Sequence, residues 1–428
     1  MRRFSFVLLV LCLLFVGQGL RADSELQRYI RQGNAIWELR GTQQVENVTI
    51  YDLHLVSQAW HGLIWEHRLL LFYPKNSPTP QFCTIFNTGG DGGGEGDKRM
   101  GLVLAQASGM PFAILFGNPR QPIFDGKVED EIIVYTWQKF FETGDPTWPL
   151  HFPMAKAVIK GMDAVQEFTA KSGMPEIKEF LVSGASKRGW TTWLVGASQD
   201  KRVKAIAPMV IDTLNVAAQL PHQLEAFGKP SEQIDDYTNG GMLKALQTPR
   251  GQQLLQLEDP YSYRDVLTLP KLIINGTNDR YWAQDALNLY WDGLKGKKWI
   301  LYVPNSGHGL EDRMRVFNTL SSYAQMLASK KSWPQPQWEY TDSASGITLN
   351  VTSDVAPKEV RLFSTTAATK DFRDSKWAYT PMSTNNKGFL GTYARPASGY
   401  AAVYGEIVYE IGGKPFTLTT QIRIIGQK

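Results

Sequence analysis

Ser186 stands where a strand should give way to a helix. Glu179-Phe180-Leu181-Val182 reads as a short buried strand, Ser183-Gly184-Ala185-Ser186-Lys187-Arg188-Gly189 as a tight turn, and Trp190-Thr191-Thr192-Trp193-Leu194 as the helix that follows. Glycines on both sides of one serine allow a turn sharp enough to lift its hydroxyl clear of the sheet, the setting of a nucleophile elbow. The usual elbow has its second glycine two residues after the serine. Here Arg188 takes that place and Gly189 follows it, so the motif alone reads equally well as a plain β-turn-α connection.

A serine hydroxyl attacks a carbonyl near neutral pH only with a base beside it, and the base needs a carboxylate to hold its tautomer. Two later segments supply both. Lys271-Leu272-Ile273-Ile274 runs into Asn275-Gly276-Thr277-Asn278-Asp279, and Trp299-Ile300-Leu301-Tyr302-Val303 runs into Pro304-Asn305-Ser306-Gly307-His308-Gly309. Serine, acid and histidine in that order, each just past an apolar strand, is the order of the α/β-hydrolase fold. Ser186 is therefore the expected nucleophile, His308 the base and Asp279 the orienting acid. Asp279 also reads as a cap for a helix starting at Tyr281, and Asp212, ending the run Ile206–Ile211, is a rival acid one strand earlier.

Acyl transfer also needs donors for the developing oxyanion, each worth about 3–4 kcal/mol. The amide of Lys187, next after the nucleophile, is one. The other is expected from the glycine-rich loop Asn87–Asp97, at Gly89 or Gly90, where backbone can approach a substrate without a Cβ in the way. This loop lacks the Gly-Lys-Ser/Thr ending of a phosphate-binding loop, and a merely flexible loop is the plain alternative. Trp137, Trp148, Trp190, Trp193, Trp282 and Trp291 fall near the expected sheet edge, as pocket walls or as core. The other histidines (His54, His61, His67, His151 and His222) read as packing or surface residues, and none pairs at metal-ligand spacing. Neither a cofactor nor a metal is expected.

The elements needed to position these groups are legible. Phe82–Phe86, Phe112–Phe116, Phe180–Val182, Val203–Val210, Leu272–Ile274 and Trp299–Val303 read as successive strands separated by helical segments, which predicts a mostly parallel sheet flanked by helices. Antiparallel strands between Val45 and Tyr73 lead into it. Residues 213–267 exceed what a crossover requires and read as a helical lid at the carboxyl edge of the sheet. Beyond a Pro-rich linker at Ser332–Pro336, short alternating runs predict a C-terminal β-sandwich-like domain over 333–428, leaving 23–332 as the catalytic domain.

The chain opens with Met1-Arg2-Arg3, an apolar run from Phe4 to Val16 and small residues up to Ala22. Residues 1–22 read as a signal peptide, with an uncleaved anchor as the alternative, so export to the periplasm or beyond is expected. Three basic residues lie in this leader, so the formal charge of +4 falls to about +1 without it, which excludes a nucleic-acid stripe. Cys12 lies in the leader as well. Cys83, alone in an apolar run, reads as a buried structural thiol. The expected partner is a small-molecule, acylated or peptide substrate.

Val182-Ser183-Gly184-Ala185-Ser186-Lys187-Arg188-Gly189-Trp190-Thr191-Thr192-Trp193, with Asn275-Gly276-Thr277-Asn278-Asp279 and Asn305-Ser306-Gly307-His308, resembles the PhoPQ-activated pathogenicity-related proteins, a family that includes secreted proliferation-repressor proteins of slime moulds. The likeness runs over nearly the whole mature chain, and the Lys-Arg-Gly departure at the elbow is what that family looks like. It implies an α/β-hydrolase related in shape to prolyl-type peptidases, export, and a link with virulence and resistance to cationic antimicrobial peptides. It implies no substrate. Esters and thioesters, fatty-acylated ones included, compete with peptides, for which Glu95, Asp97, Asp235 and Asp236 would supply acidic recognition. A non-catalytic exported binding protein on the same scaffold is the rival of another class.

Overall fold

The structure, a computed structural model, describes residues 23–386, 388–411 and 413–427; the expected leader, residues 1–22, lies outside them. After a capped helix α1 (Glu25–Ile30), strands β1 (Ile36–Val45), β2 (Val48–Trp60) and β3 (Leu63–Pro74) form an antiparallel meander. Then strands and helices alternate: β4 (Phe82–Asn87), α2 (Glu95–Ser108), β5 (Phe112–Leu115), α3 (Glu129–Thr143), α4 (His151–Lys171), β6 (Glu179–Ala185), α5 (Lys187–Ala197) and β7 (Val203–Met209). The lid region holds α6 (Val216–Phe227), α7 (Asp235–Asn239), α8 (Met242–Ala245) and α9 (Pro249–Glu258), and β8 (Lys271–Gly276), β9 (Lys298–Val303) and α10 (Arg313–Ala328) complete the alternation.

The sheet runs β1-β2-β3-β5-β4-β6-β7-β8-β9, with β5 through β9 parallel and β4 and β5 exchanged in space relative to sequence. Strands buried on both faces show as unbroken apolar runs rather than alternation, which is why β4 to β9 stand out in the sequence. Helices α4 and α5 pack on one face, and α2 and α10 pack together on the other. Every residue of α5 is buried. The helix that follows Ser186 therefore has no free side on which to shift. Cys83 is a free, buried thiol in β4, and burial raises its pKa.

The C-terminal region comprises β10 (Gln337–Ser343), β11 (Gly346–Thr352), β12 (Glu359–Ala367), β13 (Ala378–Pro381), β14 (Ser383–Asn385), β15 (Gly388–Ala394), β16 (Tyr400–Ile411), β17 (Lys414–Thr419) and β18 (Arg423–Gly426). β10, β11, β15 and β14 make a small antiparallel sheet. The others do not stand apart. β17 pairs with β9 through Thr419 and Ile300, so β17, β16, β12 and β13, with β18 also paired to β16, carry the central sheet on to 14 strands among the described residues. The two C-terminal sheets share one apolar layer in which Leu349, Val351, Leu362 and Val403 are buried together with residues of β9 and α10. Among the described residues no helix is long and apolar enough to cross a membrane.

Candidate active site

At Ser186 the chain turns from β6 into α5 with φ 58° and ψ −129°. A side-chain-bearing residue pays about 1–3 kcal/mol for such a conformation and keeps it only where its surroundings enforce it. Here the Ser186 amide donates to Met209 O at 2.9 Å and its carbonyl accepts from Trp190 N at 2.9 Å. Close approach explains the two glycines: a Cβ at Gly184 would lie 2.7 Å from Arg188 O, and one at Gly189 would lie 2.6 Å from Met209 O. Gly189 thus meets the neighbouring strand, and the residue before it is free to be large.

Arg188 uses that freedom. Its side chain is buried, donates from Nε to Asn118 O at 2.7 Å, and forks onto both oxygens of Glu129 at 2.7 Å each. Lys187 Nζ reaches Glu129 at 2.5 Å and Asp130 at 3.0 Å. Partial burial pushes the Glu129 carboxyl pKa up, but the bonds and charges of Arg188 and Lys187 outweigh it and hold the group well below the ordinary range. Glu129 itself has φ 49° and is held there by Gln121, which accepts from its amide at 2.9 Å and donates to its carboxylate at 2.6 Å. Gly89 makes room for this cluster, since a Cβ there would sit 2.4 Å from Arg188 Nη2. Gly90 lies across the loop, facing a polar groove beside Asp52, His67 and Arg68. The amide of Lys187 opens α5, where a helix has no acceptor of its own and its dipole favours an anion.

The loops after β8 and β9 come together. His308 Nδ1 lies 2.7 Å from Asp279 Oδ2. Asp279 Oδ1 accepts from Tyr281 N at 2.9 Å, so one carboxylate both turns the loop and holds the imidazole. Tyr281 packs against His308 with ring centroids 4.3 Å apart and the planes tilted by 33°. His308 Nε2 is buried and has no hydrogen-bond partner among the described residues, which leaves the Ser186 hydroxyl outside its hydrogen-bond reach. Asp212 is not the acid of this pair. It is buried and accepts from Tyr290 OH at 2.5 Å, and burial, added to by the charge of Asp279, pushes its pKa up to about 7.

The remaining histidines are engaged elsewhere. His67 bonds Ser57 and Phe116 O, His222 meets Asp285, and His61 stacks on Trp148. His54 sits 3.6 Å from Glu38. His151 forms a fully buried pair with Glu258 at 2.6 Å and stacks on Trp190. Among the described residues no cluster has the make-up of a metal site. Of the six tryptophans expected near the sheet edge, Trp137, Trp190 and Trp282 border an apolar cavity of about 100 Å³ that opens onto Ser186, and Trp193 is buried in α5. Trp148 packs with Trp60, and Trp291 against Trp338. Glu95 pairs with Lys98 at the start of α2, whereas Asp236 of α7 lies within the field of Asp130. Sequence reading missed Tyr281, although it stands two residues after the acid. It also missed Glu129, which no local signal ties to the elbow.

The parallel run β5-β4-β6-β7-β8-β9, with Ser186, Asp279 and His308 just past the ends of β6, β8 and β9, is that of an α/β-hydrolase. Within that class the chain belongs to the PhoPQ-activated pathogenicity-related protein family, whose model matches residues 26–373. It is 31% identical over 412 residues to the autocrine proliferation repressor protein A of Dictyostelium discoideum, covering 87% of this chain and 83% of that protein. Among solved structures, acetyl xylan esterase 1 from Thermoanaerobacterium sp. JW/SL YS485 matches with a TM-score of 0.50 at 17% identity, covering 71% of this chain and 94% of that one. An S-formylglutathione hydrolase from Agrobacterium tumefaciens matches with a TM-score of 0.46 at 11% identity, over 69% of this chain and 100% of that one. At such identities the likeness is one of fold.

Proposed function

We propose that the protein is an exported serine hydrolase that cleaves an acyl ester or thioester. The observation that carries the reading is the His308–Asp279 pair at 2.7 Å, with a free Nε2, at the strand end two strands beyond a serine held in an elbow conformation. Ser186 Oγ attacks the carbonyl carbon while His308 Nε2 takes the hydroxyl proton, and Asp279 steadies the imidazolium. The C–O or C–S bond of the substrate then breaks, and its alcohol or thiol leaves with the proton from His308. Water attacks the acyl-enzyme by the same route and releases a carboxylic acid. The Lys187 amide holds the oxyanion, with a second donor from Gly89, which lies against the Arg188 side chain. The missing Ser186–His308 bond is of the kind that closes when substrate settles, since catalytic hydrogen bonds are often long without it.

Export rests on the N-terminal segment, and a role in virulence rests on the family. The esterase reading agrees with the activities named for the matched solved structures, an acetyl xylan esterase and an S-formylglutathione hydrolase.

A fluorophosphonate probe tests the core claim. It should label the mature protein, and Ser186→Ala should abolish labelling, as should His308→Ala to within background. A folded wild type that stays unlabelled would sink the triad and put a non-catalytic binding protein in its place.

A further inference from the structure

The cavity beside Ser186 is roofed by the lid. Val216, Gln219, Leu220 and Gln223, spaced as one face of α6, border it, and Met242, Leu243 and Leu246 close another side. Three of its polar side chains are engaged within the protein, while Trp282 Nε1, buried in the same wall, has no hydrogen-bond partner among the described residues. Asp130 is paired with Lys187 at 3.0 Å. Gln219 donates to Leu214 O at 2.9 Å. Gln223 donates to Tyr281 O and accepts from Ser231 N, each at 2.8 Å. A sugar hydroxyl or a peptide amide entering this space would give up its water partners for a mostly apolar wall in which the Trp282 indole N–H can replace only part of them. An alkyl group gives up nothing there.

Size narrows the choice further. The cavity, about 100 Å³, is smaller than the ~150 Å³ apolar cavity that accepts a benzene ring. By that measure it accepts a group with fewer heavy atoms than a benzene ring. Its inner wall does not yield readily, because Glu258 pins both tryptophans: Trp137 Nε1 donates to Glu258 Oε2 at 3.1 Å and Trp190 Nε1 to Glu258 O at 2.6 Å. The lid wall is the softer side, since Leu243 and Leu246 are only half-buried.

Resting on the reading of Ser186 as nucleophile, we infer that this cavity is an acyl subsite for compact unsubstituted acyl groups of about two to four carbons, with Leu243 and Leu246 as the ruler of chain length. The substrate is then a short-chain acyl ester or thioester, and its polar remainder stays outside the cavity.

The test is kcat/KM for p-nitrophenyl acetate, butyrate, hexanoate, octanoate and decanoate. Within the cavity each added methylene should raise kcat/KM up to about fourfold, the equivalent of ~0.8 kcal/mol. Beyond butyrate the value should fall, by at least tenfold at octanoate. Leu243→Ala should move the optimum to longer chains and Leu243→Trp should confine activity to acetate, so that either variant alone suffices if the other fails to fold. Activity that climbs through decanoate, or a profile that neither variant moves, would overturn the acyl-subsite inference while fluorophosphonate labelling of Ser186 keeps the nucleophile intact. Absence of labelling would instead remove the nucleophile and the inference together.

Discussion

Arg188 fills the position where the usual elbow has glycine, and its guanidinium joins the turn at Ser186 to Asn118 and to Glu129 at the start of α3. Arg188→Met would leave Glu129 without its forked partner. A fully buried pair broken in this way loses about 3–5 kcal/mol, but the Glu129 side chain retains 41% exposure, so a loss of about 1–3 kcal/mol is expected in urea unfolding. Because Asp130, next in α3, borders the cavity, kcat/KM should fall more than stability alone explains, and Arg188→Lys should recover only part of it, since an ammonium cannot make the fork. Asp212 gives a pH signature. With its pKa pushed up to about 7 by burial, the folded chain holds a proton there that the unfolded chain has released above about pH 4. This stabilising contribution is present at acid pH and is lost as pH rises through 7, at up to about 1.4 kcal/mol per unit. Urea unfolding of Asp212→Asn against wild type between pH 5 and 8 should therefore show the variant gaining relative stability with rising pH.

At the scale of elements, the lid and the catalytic loops lean on one C-terminal loop. Asn278, next to the acid, donates from Nδ2 toward Phe372 O, Arg373 O and, at 2.6 Å, Ser375 O. Asn305, three residues before the base, exchanges hydrogen bonds with Trp377. The same loop holds the lid through Lys370 to Glu225 and Arg373 to Glu232, with the Arg373 guanidinium 3.9 Å above the Phe227 ring. Asn278→Ala should thus lower kcat through a displaced Asp279 while costing only about 1–2 kcal/mol of stability, a contrast that steady-state kinetics and thermal unfolding will show side by side. The lid pairs are partly exposed, and such pairs are weak and screened by salt. Rising ionic strength should loosen the lid before it affects the sheet, visible as faster amide hydrogen exchange in α6 and α7 than in β6 to β9.

Across the whole molecule, the central sheet passes from the hydrolase strands into β17 and β16 without a break. Glu406 of β16 is buried and bonded to Arg315 of α10 as well as to Arg361 of β12, which ties the C-terminal strands to a helix of the catalytic part. A chain with this continuity should unfold in one calorimetric transition rather than two. Truncation after residue 332 should give insoluble protein, because it bares the β9 edge and the apolar layer shared with β11, β12 and β16.

The legible features were those written in local pattern. Buried parallel strands appear as apolar runs, each ends in a turn of small residues, and Ser186, Asp279 and His308 stand just past three such turns. Chain order alone then yields the fold and its candidate catalytic residues. Long-range pairings carry no such mark. Nothing near Arg188 points to Glu129, nothing near Asp212 points to Tyr290 instead of His308, and nothing at Ser332–Pro336 reveals that strands beyond that linker return to the edge of β9. Local spacing governs hydrogen bonds and side-chain facing within an element, whereas which loops and edges meet is decided by packing of the complete core. Partner choice, pocket size and the join between sheet and tail therefore emerge only once the chain is folded.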